Sequence, residues 1–442
     1  MGRKPLDMDK FVLDLVMSDD KSQKKELADK IKDMAYKKGI YSASINEFYM
    51  ARGKGEVAPT FTVPAINLRV LTYDLAKAIF RSAKKINAGC FIFEIAKSEM
   101  GYTNQPPVEY TAVILAAAIK EEWTGPVFVQ GDHFQINHKN FAQDPEKELD
   151  GIRTLILQAI EAGFYNIDID SSTVVDLTKK DIKKQQKHNY ESCAKLTNFI
   201  RQHQPRGIEV SVGGEIGEVG TKNSTVEDLE AFMGGYAKKL RKGRVGISKI
   251  SIQTGTSHGG VVLPDGTIAK VKLDFDTLRV LSKEAREKYG MAGAVQHGAS
   301  TLPADAFGKF PEVQAAEVHL ATEFQNMVYE SPHFPKELKD RVYDWLKTNA
   351  ANERKEGQTD EQFFYSARKK ALGPFKKDIM GLPQETKDAI VKDIEKRFEF
   401  LFDQLNVKNT RDAVLKHTVL KRVIHRKPKA HGEVDMSGEG AD

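Results

Sequence analysis

The sequence predicts an α/β protein, a (β/α)8 TIM barrel with a helical extension at its N-terminus and a helical appendage at its C-terminus. Three observations carry this. Between residues 61 and 330, short β-rich runs alternate with longer amphipathic stretches, the texture of βα units around a parallel sheet. The runs number eight, the strand count of a (β/α)8 barrel. Titratable residues gather where runs give way to loops, and in such a barrel the strand C-termini converge on one mouth. A doubly wound open sheet is the competing topology, but no GxGxxG turn follows the first run.

Taken in order, residues 1–60 read as helical, since "DMDKFVLDLVM" and "KKELADKIKDMAYKKG" carry apolar positions at three-to-four spacing. The eight runs are "FTVPAINL" (61–68), "GCFIFEIA" (89–96), "PVFVQG" (126–131), "YNIDIDSS" (165–172), "GIEVSVGG" (207–214), "ISKISIQTG" (247–255), "GAVQHG" (293–298) and "AEVHLATE" (316–323). Amphipathic segments such as "LAKAIFRSAKKI" and "LDGIRTLILQAIEAG" separate them. The expected division is a barrel over 61–330, a C-terminal helical segment over 331–425 and a disordered tail over 426–442, "HGEVDMSGEGAD" being too polar to pack. No internal repeat of solenoid period appears.

Composition narrows the class. With 40% hydrophobic and 29% charged residues, the chain has an ordinary globular balance. The longest apolar run, "AVILAAAI", is too short to span a bilayer, and the N-terminus has no apolar signal region, so a cytoplasmic protein without a membrane partner is expected. Cys90 and Cys193 form no CxxC, which excludes a zinc ribbon or disulfide framework. A net charge of +5 is mild, and no basic stripe interleaved with aromatics points to nucleic acid.

The run ends carry Asn67, Asp132 and His133, Asp170, Glu215, His258, His297, and His319 with Thr322. Each alone has an ordinary explanation: a hydrogen-bonded loop histidine, or Asp and Ser bonding their own backbone in a turn. Together, three imidazoles with carboxylates beside them form the pattern of a catalytic divalent metal. Zinc is the first choice for nitrogen ligands, and another divalent metal is the alternative. A neighbouring carboxylate that is not a ligand can move protons. From spacing alone, this is a metal-dependent barrel enzyme acting on a carbonyl or an ester.

The ordered series "GDH" (131–133), "IDIDSS" (167–172), "GGEIGEVG" (213–220), "GTSHGGV" (255–261), "QHGAST" (296–301) and "VHLATE" (318–323) resembles the class II, metal-dependent ketose-bisphosphate aldolases that act on fructose or tagatose bisphosphate. The resemblance implies that His133, His258 and His297 bind zinc, with Asp170 and Glu215 as carboxylates near the metal. It implies that Asp132 handles the C4 hydroxyl proton. The family's loop acid that exchanges the enediolate proton has no counterpart at its position in "EVGTKNSTVED", where Glu218, or Glu227 and Asp228 further along, are the candidate substitutes. Gly259, Gly298, Ala299 and Ser300 match positions holding the phosphate of dihydroxyacetone phosphate, while Asn67, His319 and Thr322 fall at further substrate-contacting positions. Arg397 matches an arginine that reaches a neighbouring subunit's distal phosphate, which implies a homodimer or homotetramer.

The implied reaction is reversible cleavage of the C3–C4 bond of a ketose phosphate, with fructose 1,6-bisphosphate the expected substrate. The sequence also departs from the family pattern. His319 stands where an asparagine is usual, Glu317 and Val262 where lysines are, and Ala96 where a serine is. These departures also suit an aldolase for a different or unphosphorylated ketose. A non-catalytic companion subunit is the remaining alternative, and the retained His258 and His297 speak against it.

Overall fold

The computed structural model describes residues 7–217, 222–255, 263, 273–423, 432, 434 and 436. One strand that the sequence reading places in a helical region, β1 (Ile40–Ala43), precedes the barrel. The barrel is β2 (Val63–Asn67), β3 (Ile92–Ala96), β4 (Gly125–Gln135), β5 (Asn166–Asp170), β6 (Ser211–Glu215), β7 (Lys249–Ile252), β8 (Ala294–Gln296) and β9 (Glu317–Leu320). All neighbours pair in parallel, β9 pairs with β2, and β4 pairs with β5, so the eight strands close. Each begins within or next to an expected run.

β1 escapes detection because it is four residues long and half polar. It lies parallel to the first half of β4, from Ile40 opposite Gly125 to Ala43 opposite Phe128. β5 joins β4 only from Gln130 onward, so β1 fills the wedge beneath β5. Asn166, the first residue of β5, ties the two together: its side chain accepts from Ile45 N at 2.8 Å and donates to Ala43 O and Val129 O at 3.2 and 3.0 Å.

β4 departs from expectation most usefully. The sequence reading ends this strand at residue 131, but it continues to Gln135. Its register against β5 moves from Gly131–Ile167 to Phe134–Ile169, so Asp132 and His133 together stand opposite Asp168 alone. This is a β-bulge. His133 sits there at φ +39°, a left-handed conformation that non-glycine residues seldom adopt.

Helices clothe the barrel, and the terminal segments explain an oddity of one of them. Helix Pro107–Lys120 is buried almost all round, which a surface helix of a bare barrel is not. The N-terminal helices Met8–Met17 and Lys21–Lys37 cover its outer side. On the other flank, helix Gln384–Gln404 packs on Thr72–Lys85, with Arg81 and Glu395 paired at 2.6 Å. Thr410 then accepts hydrogen bonds from Gly89 N and Cys90 N, joining the C-terminal segment to the base of β3. Of the expected disordered tail, Gly432, Val434 and Met436 are described. Gln158 donates to Gly432 O at 3.0 Å, and Val434 and Met436 pack against the body.

Candidate metal centre and active site

Consecutive residues of a regular strand point to opposite faces. The bulge in β4 cancels that alternation, and Asp132 and His133 both turn into the mouth of the barrel, buried beside side chains from four other strands. His133 Nε2 lies 2.8 Å from His297 Nδ1 at the end of β8. The other nitrogen of His133 faces Asp170 Oδ2 at 3.3 Å and Glu215 Oε2 at 3.6 Å, from the ends of β5 and β6. His297 Nε2 is 3.0 Å from Ser251 Oγ on β7. His319 of β9 stacks on His297 with ring centroids 4.0 Å apart, and its Nδ1 is 3.3 Å from Asp132 Oδ1 and 3.0 Å from Glu94 Oε2.

The electrostatics follow from this crowding of acids. Burial alone would lower the pKa of His133, but Asp132, Asp170 and Glu215 outweigh it and hold it up at about 10. Burial opposes ionisation of Asp132 as well, yet His133 and His319 keep its carboxyl well below the usual range. For Glu94 the balance tips the other way: burial, with Asp132 nearby, outweighs the pull of His319 and pushes it up to about 8. Glu215 rises for the same first reason, with Asp170 as the neighbouring charge. The mouth therefore demands positive charge, which protons or a metal ion can supply.

Beneath the mouth lies a layer the sequence reading did not single out. Glu94, Asp168, Lys249 and Glu317 project into the lumen from β3, β5, β7 and β9, alternate strands of the barrel. Four side chains from alternate strands make one layer of such a barrel, and branched aliphatics usually fill it. Here the Lys249 ammonium lies 2.8 Å from both Asp168 Oδ2 and Gln130 Oε1 and also pairs with Glu317. Tyr49, from the helix Asn46–Gly53, donates to the other oxygen of Glu317, and His319 Nε2 lies 2.7 Å from Oε1. Lys249, against the effect of burial, holds Glu317 down at about 2. Gly213 on β6 leaves room for this layer, since a Cβ there would run into the Asp168 carboxylate. The available signal was a charge inside an apolar run, as in "FIFEIA" and "SKISI".

The remaining expected site residues fall into groups. Asn67 donates to Glu99 Oε2 at 2.5 Å at the exit of β2. Gly298, at φ +67°, opens the turn Ala299–Thr301, and Ser300 Oγ accepts from Ala321 N at 2.7 Å, linking the exits of β8 and β9. Thr322 Oγ1 lies 3.4 Å from Arg69 Nη1. Arg397 is engaged within its own chain: Nε pairs with Glu323 at 2.6 Å, and the guanidinium lies over the rings of Phe400 and Phe307. His258, Gly259, Val262 and Glu218 lie outside the described residues.

The residues present fit a divalent metal. Asp132, His133 and His297 bring ligand atoms within 4.8 Å of one another, as do His133, Asp170 and Glu215. The two groups share His133, one using each ring nitrogen. Two imidazole nitrogens on one tetrahedral zinc lie roughly 3.3 Å apart, and His133 and His297 are near that spacing. With a metal on Nε2, Asp170 and Glu215 are placed to hold the Nδ1 proton of His133, the outer support that metal-binding histidines ordinarily have.

Comparisons with known proteins bear on the fold and the family. Among solved structures, a probable tagatose 6 phosphate kinase from Sinorhizobium meliloti superposes with a TM-score of 0.55 at 14% identity, over 80% of this chain and 100% of that one. That match shows the fold. A putative fructose-1,6-bisphosphate aldolase from Coccidioides immitis matches with a TM-score of 0.48 at 17% identity, over 82% of this chain and 96% of that one. The fructose-bisphosphate aldolase of Campylobacter jejuni matches with a TM-score of 0.47 at 17% identity, over 84% and 97%. No curated protein matches the sequence. The family model described as fructose-bisphosphate aldolase class-II matches residues 57–399, most of the chain. The chain therefore belongs to the class II fructose-bisphosphate aldolase family, a metal-dependent family of lyases.

Proposed function

We propose that this enzyme is a zinc-dependent aldolase that reversibly cleaves fructose 1,6-bisphosphate between C3 and C4, giving dihydroxyacetone phosphate and glyceraldehyde 3-phosphate. The observation that carries the reading is the bulge that sets Asp132 beside His133 and His297 in one ligand group at the barrel mouth. Zinc held by His133 and His297, with His258 as the expected third ligand, would supply a Lewis acid that polarises the ketone.

The chain's own residues do the rest. Asp132, kept ionised by His133 and His319, accepts the C4 hydroxyl proton as the C3–C4 bond breaks and the C4 carbonyl forms. Glu94 and Glu317 fix the His319 ring, which in turn holds Asp132 in position. Gly298, Ala299, Ser300 and Thr322, on the exits of β8 and β9, are the proposed seat of the ketone-half phosphate. Glu218 is the proposed donor of the proton to C3. We assign the enzyme to the cytoplasm as a homo-oligomer. Among the described residues no helix is long and apolar enough to cross a membrane.

The direct test is release of triose phosphate from fructose 1,6-bisphosphate by purified protein with and without a chelator. Cleavage is expected to fall about a hundredfold or more on chelation and to return with zinc, the scale of a Lewis acid supplying several kcal/mol. Cleavage that survives complete removal of metal would sink the reading.

A further inference from the structure

β7 sets two polar side chains into the barrel, one above the other. Strand residues alternate in direction, so Lys249, which faces the lumen, is followed two residues on by Ser251, on the same side and one step nearer the mouth. A hydroxyl thus replaces the branched aliphatic that usually fills a barrel strand at such a level. Ser251 lies outside every motif that carries the family resemblance. It stands opposite Glu215 of β6 and Val295 of β8, and His297 follows two residues beyond Val295. The serine is buried, and Ile216 N donates to its carbonyl at 3.0 Å. Its hydroxyl lies 3.0 Å from His297 Nε2 and has no other hydrogen-bond partner among the described residues.

The two nitrogens of the His297 ring therefore have separate surroundings. Nδ1 faces His133 Nε2 at 2.8 Å, on the side where both imidazoles share a ligand group with Asp132. An imidazole binds a metal through a nitrogen that carries no proton, so with Nδ1 on the metal the ring proton sits on Nε2. Ser251 Oγ is placed to accept it. His133 has the same arrangement with a different partner, since its Nδ1 faces the carboxylates of Asp170 and Glu215. With alanine at 251 the Nε2 proton would be buried without this acceptor. The tautomer protonated on Nδ1, which cannot bind the metal, would gain ground.

We propose that Ser251 is a positioning residue of the metal centre: by accepting the Nε2 proton of His297 it fixes the tautomer and orientation of the ring and keeps Nδ1 bare toward the metal. The proposal rests on the reading of His133 and His297 as ligands. It also makes the two imidazoles unlike. His133, backed by carboxylates, is the stronger electron donor, and His297, backed by a neutral hydroxyl, is the weaker one.

The test is zinc affinity of the full chain, read by competition with a chromophoric chelator. Ser251→Ala is expected to bind zinc about tenfold to a hundredfold more weakly than wild type, the usual cost of losing the outer partner of a metal-binding histidine. Ser251→Thr, which keeps the hydroxyl, should stay within about threefold of wild type. Ser248→Ala is the structural control. It removes a buried hydroxyl that pairs with Ser211 Oγ at 2.8 Å just before the same strand, at the end away from the mouth, and should leave zinc affinity unchanged. The proposal is overturned if Ser251→Ala binds zinc as tightly as wild type, or if Ser251→Thr or Ser248→Ala loses as much as the alanine variant. Any of these results leaves the metal centre itself standing. A wild type that binds no zinc overturns the metal reading and this proposal together.

Discussion

Asp132→Asn is expected to reduce the turnover of fructose 1,6-bisphosphate by roughly a hundred- to ten-thousand-fold, the range for losing one positioned acid/base group. The amide has nearly the shape of the carboxylate, so the β4 bulge and the ring of His133 should stay in place. What it cannot do is take the C4 hydroxyl proton. Zinc content, measured by elemental analysis on the same preparation, should match wild type, because the reading gives Asp132 a proton to move and no metal to hold. Stoichiometric loss of zinc in the variant would instead make Asp132 a ligand, which its place in one ligand group with His133 and His297 permits. Turnover within tenfold of wild type would remove it from the chemistry altogether.

Lys249→Met is expected to have the largest effect on stability. The methionine fits an unbranched stem but leaves Asp168 and Glu317 facing each other in the lumen without their shared cation. Removing one partner of a buried pair typically costs about 3–5 kcal/mol, and urea unfolding of the zinc-free protein would read it without interference from the metal. Adding Asp168→Asn should restore part of the loss, since burial already pushes that carboxyl up to about 6 even beside the lysine. A loss below about 1 kcal/mol, well under the range for removing one partner of a buried pair, would mean that water or protonation compensates the layer.

The strands were legible because a barrel strand buried on both sides is nearly all apolar, and the punctuation between runs is strong. β1 was not, since four residues with a serine and a tyrosine carry no period. The site was legible where its residues stand at strand exits in recognisable order: His133, His297, Asp170 and Glu215 do meet at one mouth. The bulge was not, because register against β5 is a property of two strands and "GDHFQ" alone does not reveal it. Nor was the charged layer. Glu94, Lys249 and Glu317 lie far apart in sequence; the first two read as isolated irregularities in apolar runs, and Glu317 only as a departure from the family's lysine. Nor were the contacts of Arg397 within its own chain, with Glu323 and two aromatic rings, since its motif position speaks only of a neighbouring subunit's phosphate.

The wedge formed by β1 bears on how much of this chain is needed to make a barrel. The family match begins at residue 57 and ends at 399, which excludes β1 and the Thr410 contacts at the base of β3. A chain trimmed to that match would leave the lower half of β4 with open backbone donors and acceptors, an invitation to pair with another molecule. It would also strip the polar ties that Asn166 makes to Ala43 and Ile45. Such a fragment is expected to associate or precipitate where a chain retaining residues 7–416 stays dispersed, a difference that light scattering would report. By this reasoning the smallest autonomous unit is set by edge protection, and it is larger than the stretch that carries the chemistry.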